Sequence, residues 1–191
     1  MVLIIGITGA TGVIYGIRLL ETLSSLKEIE THLVISKAGE LIIKHETGRK
    51  IQDIRKLASF WYDVEDIGTC ISSGSFQRDG MIVAPCTVKT MSGMANSYSD
   101  NLITRAGDVT LKERKKLALM VRETPLHLGH IRAMEKLTEM GAIIVPPVPA
   151  FYHKPKTIPE IIDHTVGRLL DIFDIKHNLF RRWTGHTGEG S

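Results

Sequence analysis

Short runs of nearly continuous apolar residues, alternating with segments of helical periodicity, recur along this chain and restrict its fold more than any other feature. The runs cover residues 2–7, 31–36, 80–84, 116–121 and 142–145, and the helical patterns cover 13–26, 37–46, 87–96, 124–140 and 158–175. A strand apolar along its whole length has no face to give to water, so both faces of its sheet must be covered. Alternation of such strands with amphipathic helices predicts a doubly wound α/β protein, a parallel sheet between two helical layers. No repeat or proline-rich linker divides the chain, so residues 1–183 are expected to form one domain, with a frayed polar tail at 184–191.

Composition narrows the function classes. The formal charge of +3 is too small to argue for nucleic acid, so basic residues matter only where they converge on one anion. Cys70 and Cys86 are the only cysteines, which excludes a disulfide framework and a cysteine zinc site. The apolar opening MVLIIGI stops at Thr8-Gly9, too short for a signal core or a membrane span, and the expected location is the cytoplasm.

Ligands of doubly wound sheets bind beyond the carboxyl ends of the strands. There the first strand runs into GITGATG, with glycines at 6, 9 and 12. A nucleotide-triphosphatase loop would continue with Gly-Lys-Ser/Thr, which is absent. A dinucleotide site would close the second strand with an acidic residue, whereas this strand ends in Ser36-Lys37. A small phosphorylated ligand suits the turn better, because Gly9 and Gly12 admit close backbone approach and Thr8 and Thr11 carry hydroxyls. The stretch APCTVKT supplies a second such turn, with Thr87 and Thr90 at a helix start. Either turn alone is an ordinary strand-to-helix connection, while two in one small sheet favour a mononucleotide.

Further along, Arg122 and Glu123 end a strand before Pro125. They read as a phosphate ligand beside an acid or base, or else as a solvated rim. His127 and His130 suit helix capping or packing better than metal binding, since nothing nearby completes a ligand set. The run LKERKK is a solvated pattern from which only Lys112 merits attention. Arg168 stands in line with apolar neighbours on a helix and must either extend to solvent or meet an anion. Tyr152 adds a phenol after the stiff segment PPVPAF.

These segments together resemble the flavin prenyltransferase family, the bacterial UbiX proteins and their fungal counterparts, formerly described as aromatic-acid decarboxylases of ubiquinone biosynthesis. The likeness runs from about residue 2 to residue 183 and is most specific in VRETPLHLGH and PAFYHKP. It implies a flavodoxin-like (Rossmann-like) fold and a homododecamer of trimers. It also implies metal-independent transfer of dimethylallyl from dimethylallyl phosphate to N5 and C6 of reduced FMN. The prenylated FMN would serve a UbiD-type decarboxylase. By position, Gly9, Ala10, Thr11, Ser36, Thr87, Val88, Lys89, Thr90 and Arg122 match the family's FMN-binding residues. Lys112, Tyr152 and Arg168 match those that hold the prenyl phosphate, with Arg105 assisting. Glu123 matches a residue of proton handling, and Glu46 and Ser73 match its active-site neighbours. The family more often carries Ser where this chain has Thr11 and Thr87, which keeps the hydroxyl and adds a methyl group.

The implied chemistry agrees with the residues. Loss of phosphate from an allylic carbon leaves a developing anion, which Lys112, Arg168 and the Tyr152 phenol would stabilise. Trp183 would wall the prenyl group with an aromatic face or serve in packing. Two other readings stand beside the resemblance: an FMN-dependent cysteine decarboxylase, which shares the fold and a turn similar to APCTVKT, and a non-catalytic flavin carrier, which needs the FMN turns. The first would carry a Pro-x-Met-Asn segment where this chain reads PPVPAFYHKP, and the second would not need Lys112, Tyr152, Arg168 and Glu123 together.

Overall fold

A computed structural model describes residues 1–183 and 185. Its contacts gather into two compact units, Met1–Pro147 and Val148–Ser191. The first holds β1 (Val2–Ile7), α1 (Val13–Ser24), β2 (Glu30–Ile35), α2 (Lys37–Thr47), α3 (Ile51–Arg55) and β3 (Phe60–Tyr62). A 3₁₀ turn (Cys70–Ser72) leads to β4 (Gly80–Cys86), α4 (Val88–Ala95), α5 (Leu102–Lys112), β5 (Lys116–Val121), α6 (Leu128–Glu139) and β6 (Ile143–Ile144). The second unit holds α7 (Ile158–Ile172). The expected frayed tail falls mainly on Thr184 and residues 186–191, outside the described residues. Among the described residues no helix is long and apolar enough to cross a membrane.

All six strands are parallel, in the order β3-β2-β1-β4-β5-β6. The sheet therefore grows from β1 in one direction and from β4 in the other, and the order reverses between these two strands. Side chains alternate across the pleat. On one face Ile4, Met81, Val83, Leu117 and Leu119 pack with Met91, Met94, Ile103, Ala106, Ala133 and Leu137 from α4, α5 and α6. On the other, α1 lies so close to β4 that a Cβ on Gly16 would collide with the Ala84 carbonyl. Both faces are thus covered, as the apolar runs require. Each fully buried Leu or Ile contributes about 1.5–3 kcal/mol to this core.

Local chemistry starts the helices. Ser36 caps α2, Thr87 caps α4 and Thr157 caps α7, each accepting from a backbone N–H of the first turn. Asn101 and Thr104 form a reciprocal capping box at α5. Three elements depart from expectation. The edge strand β3 has only three residues, so no periodicity marks it. The short helix α3 and the whole of α5 are also additional. The charged run LKERKK, read as solvated, starts at the last buried turn of α5, where Val109 and Thr110 face the core while Lys112 lies outside.

Candidate active site

At the carboxyl ends of β1 and β4, where the strand order reverses, lies a cavity of about 660 Å³. Gly9, Ala10, Thr11, Ser36, Thr87, Val88, Lys89, Thr90 and Arg122 all line it, together with Glu123. Lys37, read from the sequence with Ser36 at the end of the second strand, also lines it, as do Glu65, Asp100 and Asn101, which were not singled out from the sequence. The volume is that of a site for a cofactor-sized molecule, roughly 300–1,000 Å³. Its walls are rich in fixed hydrogen-bonding groups. Ser36 Oγ accepts from Gly39 N at 3.0 Å, and Thr87 Oγ1 accepts from Thr90 N at 3.2 Å while donating to Thr90 Oγ1 at 3.0 Å. The amino ends of α2 and α4 therefore both open on the cavity with a hydroxyl already oriented there. Lys89 pairs with Asp100 at 3.2 Å. Arg122 is tied by its backbone to the Cys86 carbonyl, and Glu123 Oε1 accepts from Thr124 N at 3.1 Å.

Two residues of the glycine turn have structural duties. Thr8 is 1% exposed, and its hydroxyl donates to the Pro85 carbonyl and accepts from Thr87 N, which locks the end of β1 to the end of β4. It offers nothing to a ligand, contrary to the reading of its hydroxyl from sequence. Gly9 is required because a Cβ there would collide with Ala38. The amino end of α1 is also occupied. The Glu46 carboxylate accepts from the amides of Gly12 and Val13 and from the Thr11 hydroxyl, the role an anion would play there. Gly12 itself takes a left-handed φ of 88° at this turn.

Lys112, Arg105 and Ser73 do not line this cavity. They belong to a separate basic group around the loop after the 3₁₀ turn. Arg105 Nε donates to the Ser72 carbonyl at 3.2 Å, and Ser73 Oγ meets Ser75 Oγ at 2.9 Å. Lys112 is paired with Glu113, whose carboxyl is held below its ordinary pKa by that hydrogen bond and charge. The buried guanidinium of Arg78 donates to the carbonyls of Ile71 and Ser73. Burial lowers its pKa, against the favourable charge of Glu113.

In the second unit Tyr152, Arg168 and Trp183 line a cavity of about 560 Å³ with His164, Phe180 and Arg182. Arg168 meets the anion its position called for, Asp171 one turn on at 2.9 Å. Asp171 also takes Arg182 at 2.6 Å and His177 at 3.1 Å. Burial opposes its ionisation, but the hydrogen bonds from Arg182 and His177 prevail and hold its carboxyl below the ordinary value. The ring of Tyr152 meets that of Trp183 edge-on, with centroids 5.8 Å apart. His164 and Arg182 were not singled out from the sequence, although His164 stands one helical turn before Arg168. Elsewhere, His127 caps α6 by accepting from Gly129 N and stacks on His130. Among the described residues no group of three or more His, Cys, Asp or Glu converges on a metal-sized position.

The Flavoprotein family profile matches residues 1–183. Flavin prenyltransferase UbiX of Thauera aromatica is 52% identical over 97% of this chain and 95% of its own length. Among solved structures, AnUbiX in complex with FMN and dimethylallyl pyrophosphate superposes with a TM-score of 0.94 at 47% identity, over 96% of this chain and 97% of that one. A dodecameric FMN-dependent UbiX-like decarboxylase from Escherichia coli O157:H7 gives a TM-score of 0.95 at 47% identity, over 97% of this chain and all of that one. With this similarity running nearly the whole length of this chain and of these relatives, the protein belongs to the flavoprotein family and, within it, to the flavin prenyltransferases.

Proposed function

We propose that this chain joins the dimethylallyl group of dimethylallyl phosphate to N5 and C6 of reduced FMN, releases phosphate, and delivers the prenylated flavin to a UbiD-type decarboxylase. The observation that carries this reading is the cavity at the β1/β4 switch point. Its lining contains every residue that the resemblance assigns to FMN, together with Glu123. Reduced FMN supplies the nucleophilic nitrogen and carbon. The chain's residues supply binding, charge and proton transfer.

Ser36, Thr87 and Thr90 bind the FMN phosphate with hydroxyls and helix-end amides, and Lys89 and Arg122 add positive charge. Arg168 and the Tyr152 phenol hold the prenyl phosphate and stabilise the charge that grows on its oxygens as the carbon–oxygen bond breaks. Trp183 offers an aromatic face to the prenyl group, whose positive charge is delocalised in the transition state. Glu123 relays the proton of the second bond, taking it from flavin C6 and returning it to the prenyl double bond that C6 joins. Glu46 fixes the Thr11 turn of the cavity wall.

Lys112 and Arg105 complete the phosphate site from a second copy of the chain, in a homo-oligomer of trimers built up to a dodecamer. Neither lines the cavity that Glu123 lines, which accords with a contribution in trans. The free thiols of Cys70 and Cys86 fit a reducing cytoplasm.

Inorganic phosphate release tests the reaction. The chain is incubated anaerobically with dimethylallyl phosphate and a chelator, with or without reduced FMN. Release that requires reduced FMN is the expected result. FMN binding without any release identifies a flavin carrier and overturns the reading.

A further inference from the structure

His164 is 6% exposed and lies on α7 one turn before Arg168. Its Nε2 stands 2.9 Å from the Tyr152 hydroxyl. The imidazole has little freedom to point elsewhere. His153 stacks on it almost in parallel, at 4.7 Å and 7°, and Phe180 packs against it at 4.4 Å. The Tyr152 ring stands edge-on to it at 5.4 Å.

A phenol has one proton to give and lone pairs to offer. If Tyr152 spent that proton on His164, only lone pairs would remain for the cavity, and these repel an anion. The same cavity is lined by Arg168 and Arg182, two guanidiniums that suit an anionic ligand. The opposite polarity resolves the conflict. With Nε2–H donating to the phenol oxygen, the proton of Tyr152 is free to turn toward the ligand.

The geometry points to His164 as a positioning residue: its Nε2–H donates to the Tyr152 oxygen, so that Tyr152 gives its own proton to the phosphate oxygens of the prenyl substrate. This inference rests on the function proposed above. Burial, and after it the charges of His153 and Arg168, hold the imidazole below its ordinary pKa, which keeps one N–H on a neutral ring for this use.

The test compares the parent chain with His164→Phe, His164→Gln, Tyr152→Phe and the double variant Tyr152→Phe/His164→Phe. Each is assayed with saturating reduced FMN and varied dimethylallyl phosphate, and FMN affinity is titrated separately. Phenylalanine preserves the ring stack and deletes the donor. It should lower kcat/KM for dimethylallyl phosphate about three- to tenfold, the usual worth of one hydrogen bond, and leave the FMN Kd unchanged. Glutamine, whose amide N–H reaches a similar place, should recover most of that loss. In the Tyr152→Phe background, His164→Phe should cost nothing further, because its partner is gone. Where His164→Phe gives no folded protein, His164→Leu takes its place.

A His164→Phe enzyme equal to the parent overturns the inference. So does an equal loss with Tyr152 already removed, or a loss shared by FMN affinity. A parent chain that turns over no dimethylallyl phosphate would instead overturn the functional reading on which the inference stands.

Discussion

In the cavity between β1 and β4, the polar groups at the helix ends are backbone amides and short hydroxyls, set by the caps of Ser36 and Thr87. Around α7 they are long side chains, each held by another side chain: Arg168 and Arg182 by Asp171, and Tyr152 by His164. The first arrangement costs little conformational entropy to preorganise, because the backbone is already fixed by the sheet. The second depends on pairs, so removing one partner releases the other. Backbone sites are robust to single substitutions in a way that paired side-chain sites are not.

The largest effect should come where neither kind of redundancy exists. Glu123 makes one hydrogen bond, to a neighbouring amide, and its proposed role is the transfer of a proton. Glu123→Gln should keep FMN binding and lose roughly a hundredfold or more in turnover. Stopped-flow kinetics beside an FMN titration would check this, and a parallel loss of both would move Glu123 from chemistry to architecture.

Next is Asp171, the hub of the paired site. Asp171→Asn should destabilise the chain by about 1.5–3 kcal/mol, the range for hydrogen bonds to charged groups, and raise the KM for dimethylallyl phosphate without changing the FMN Kd. Its folded pKa is depressed below 3.8, so its contribution is fully present above that value and lost as pH falls through the folded value. Urea unfolding at neutral pH and below pH 4 should therefore show the gap between parent and variant closing in acid. A gap that stays constant would contradict the pairing.

The smallest effect belongs to the backbone-built site. Asn101→Ala removes the reciprocal cap of α5 and should cost about 1 kcal/mol in urea unfolding. FMN affinity should change little, although Asn101 lines the cavity. A loss of several kilocalories per mole would show that this region is as fragile as the paired one.

The same contrast decides what was legible in the sequence. β1 and β5 have the expected limits because their apolar runs end abruptly at polar residues. Gly9, Thr11, Ser36, Thr87 and Thr90 were readable because turns after strands and hydroxyls at caps are local patterns. The capping box Asn101-Leu-Ile-Thr104 was equally local, but the charged run that follows obscured the helix it begins. The clamp of Glu46 on α1 joins residues more than thirty apart in the chain, and no spacing rule announces it. Thr8 looked like a ligand hydroxyl because its bond to Pro85 exists only once β1 and β4 are neighbours. The resemblance grouped Lys112 and Arg105 with Arg168, and within one chain Lys112 meets Glu113 while Arg105 meets the Ser72 carbonyl, contacts that only the folded chain reveals.

The most direct test of the account is the mass of the flavin. Reduced FMN and dimethylallyl phosphate are incubated anaerobically with the chain and a chelator, and the flavin is then released and weighed. The predicted result is FMN heavier by one dimethylallyl unit less the hydrogen it replaces, in amounts that grow with turnover. Flavin recovered at the mass of unmodified FMN, from a chain that binds both ligands, would contradict it.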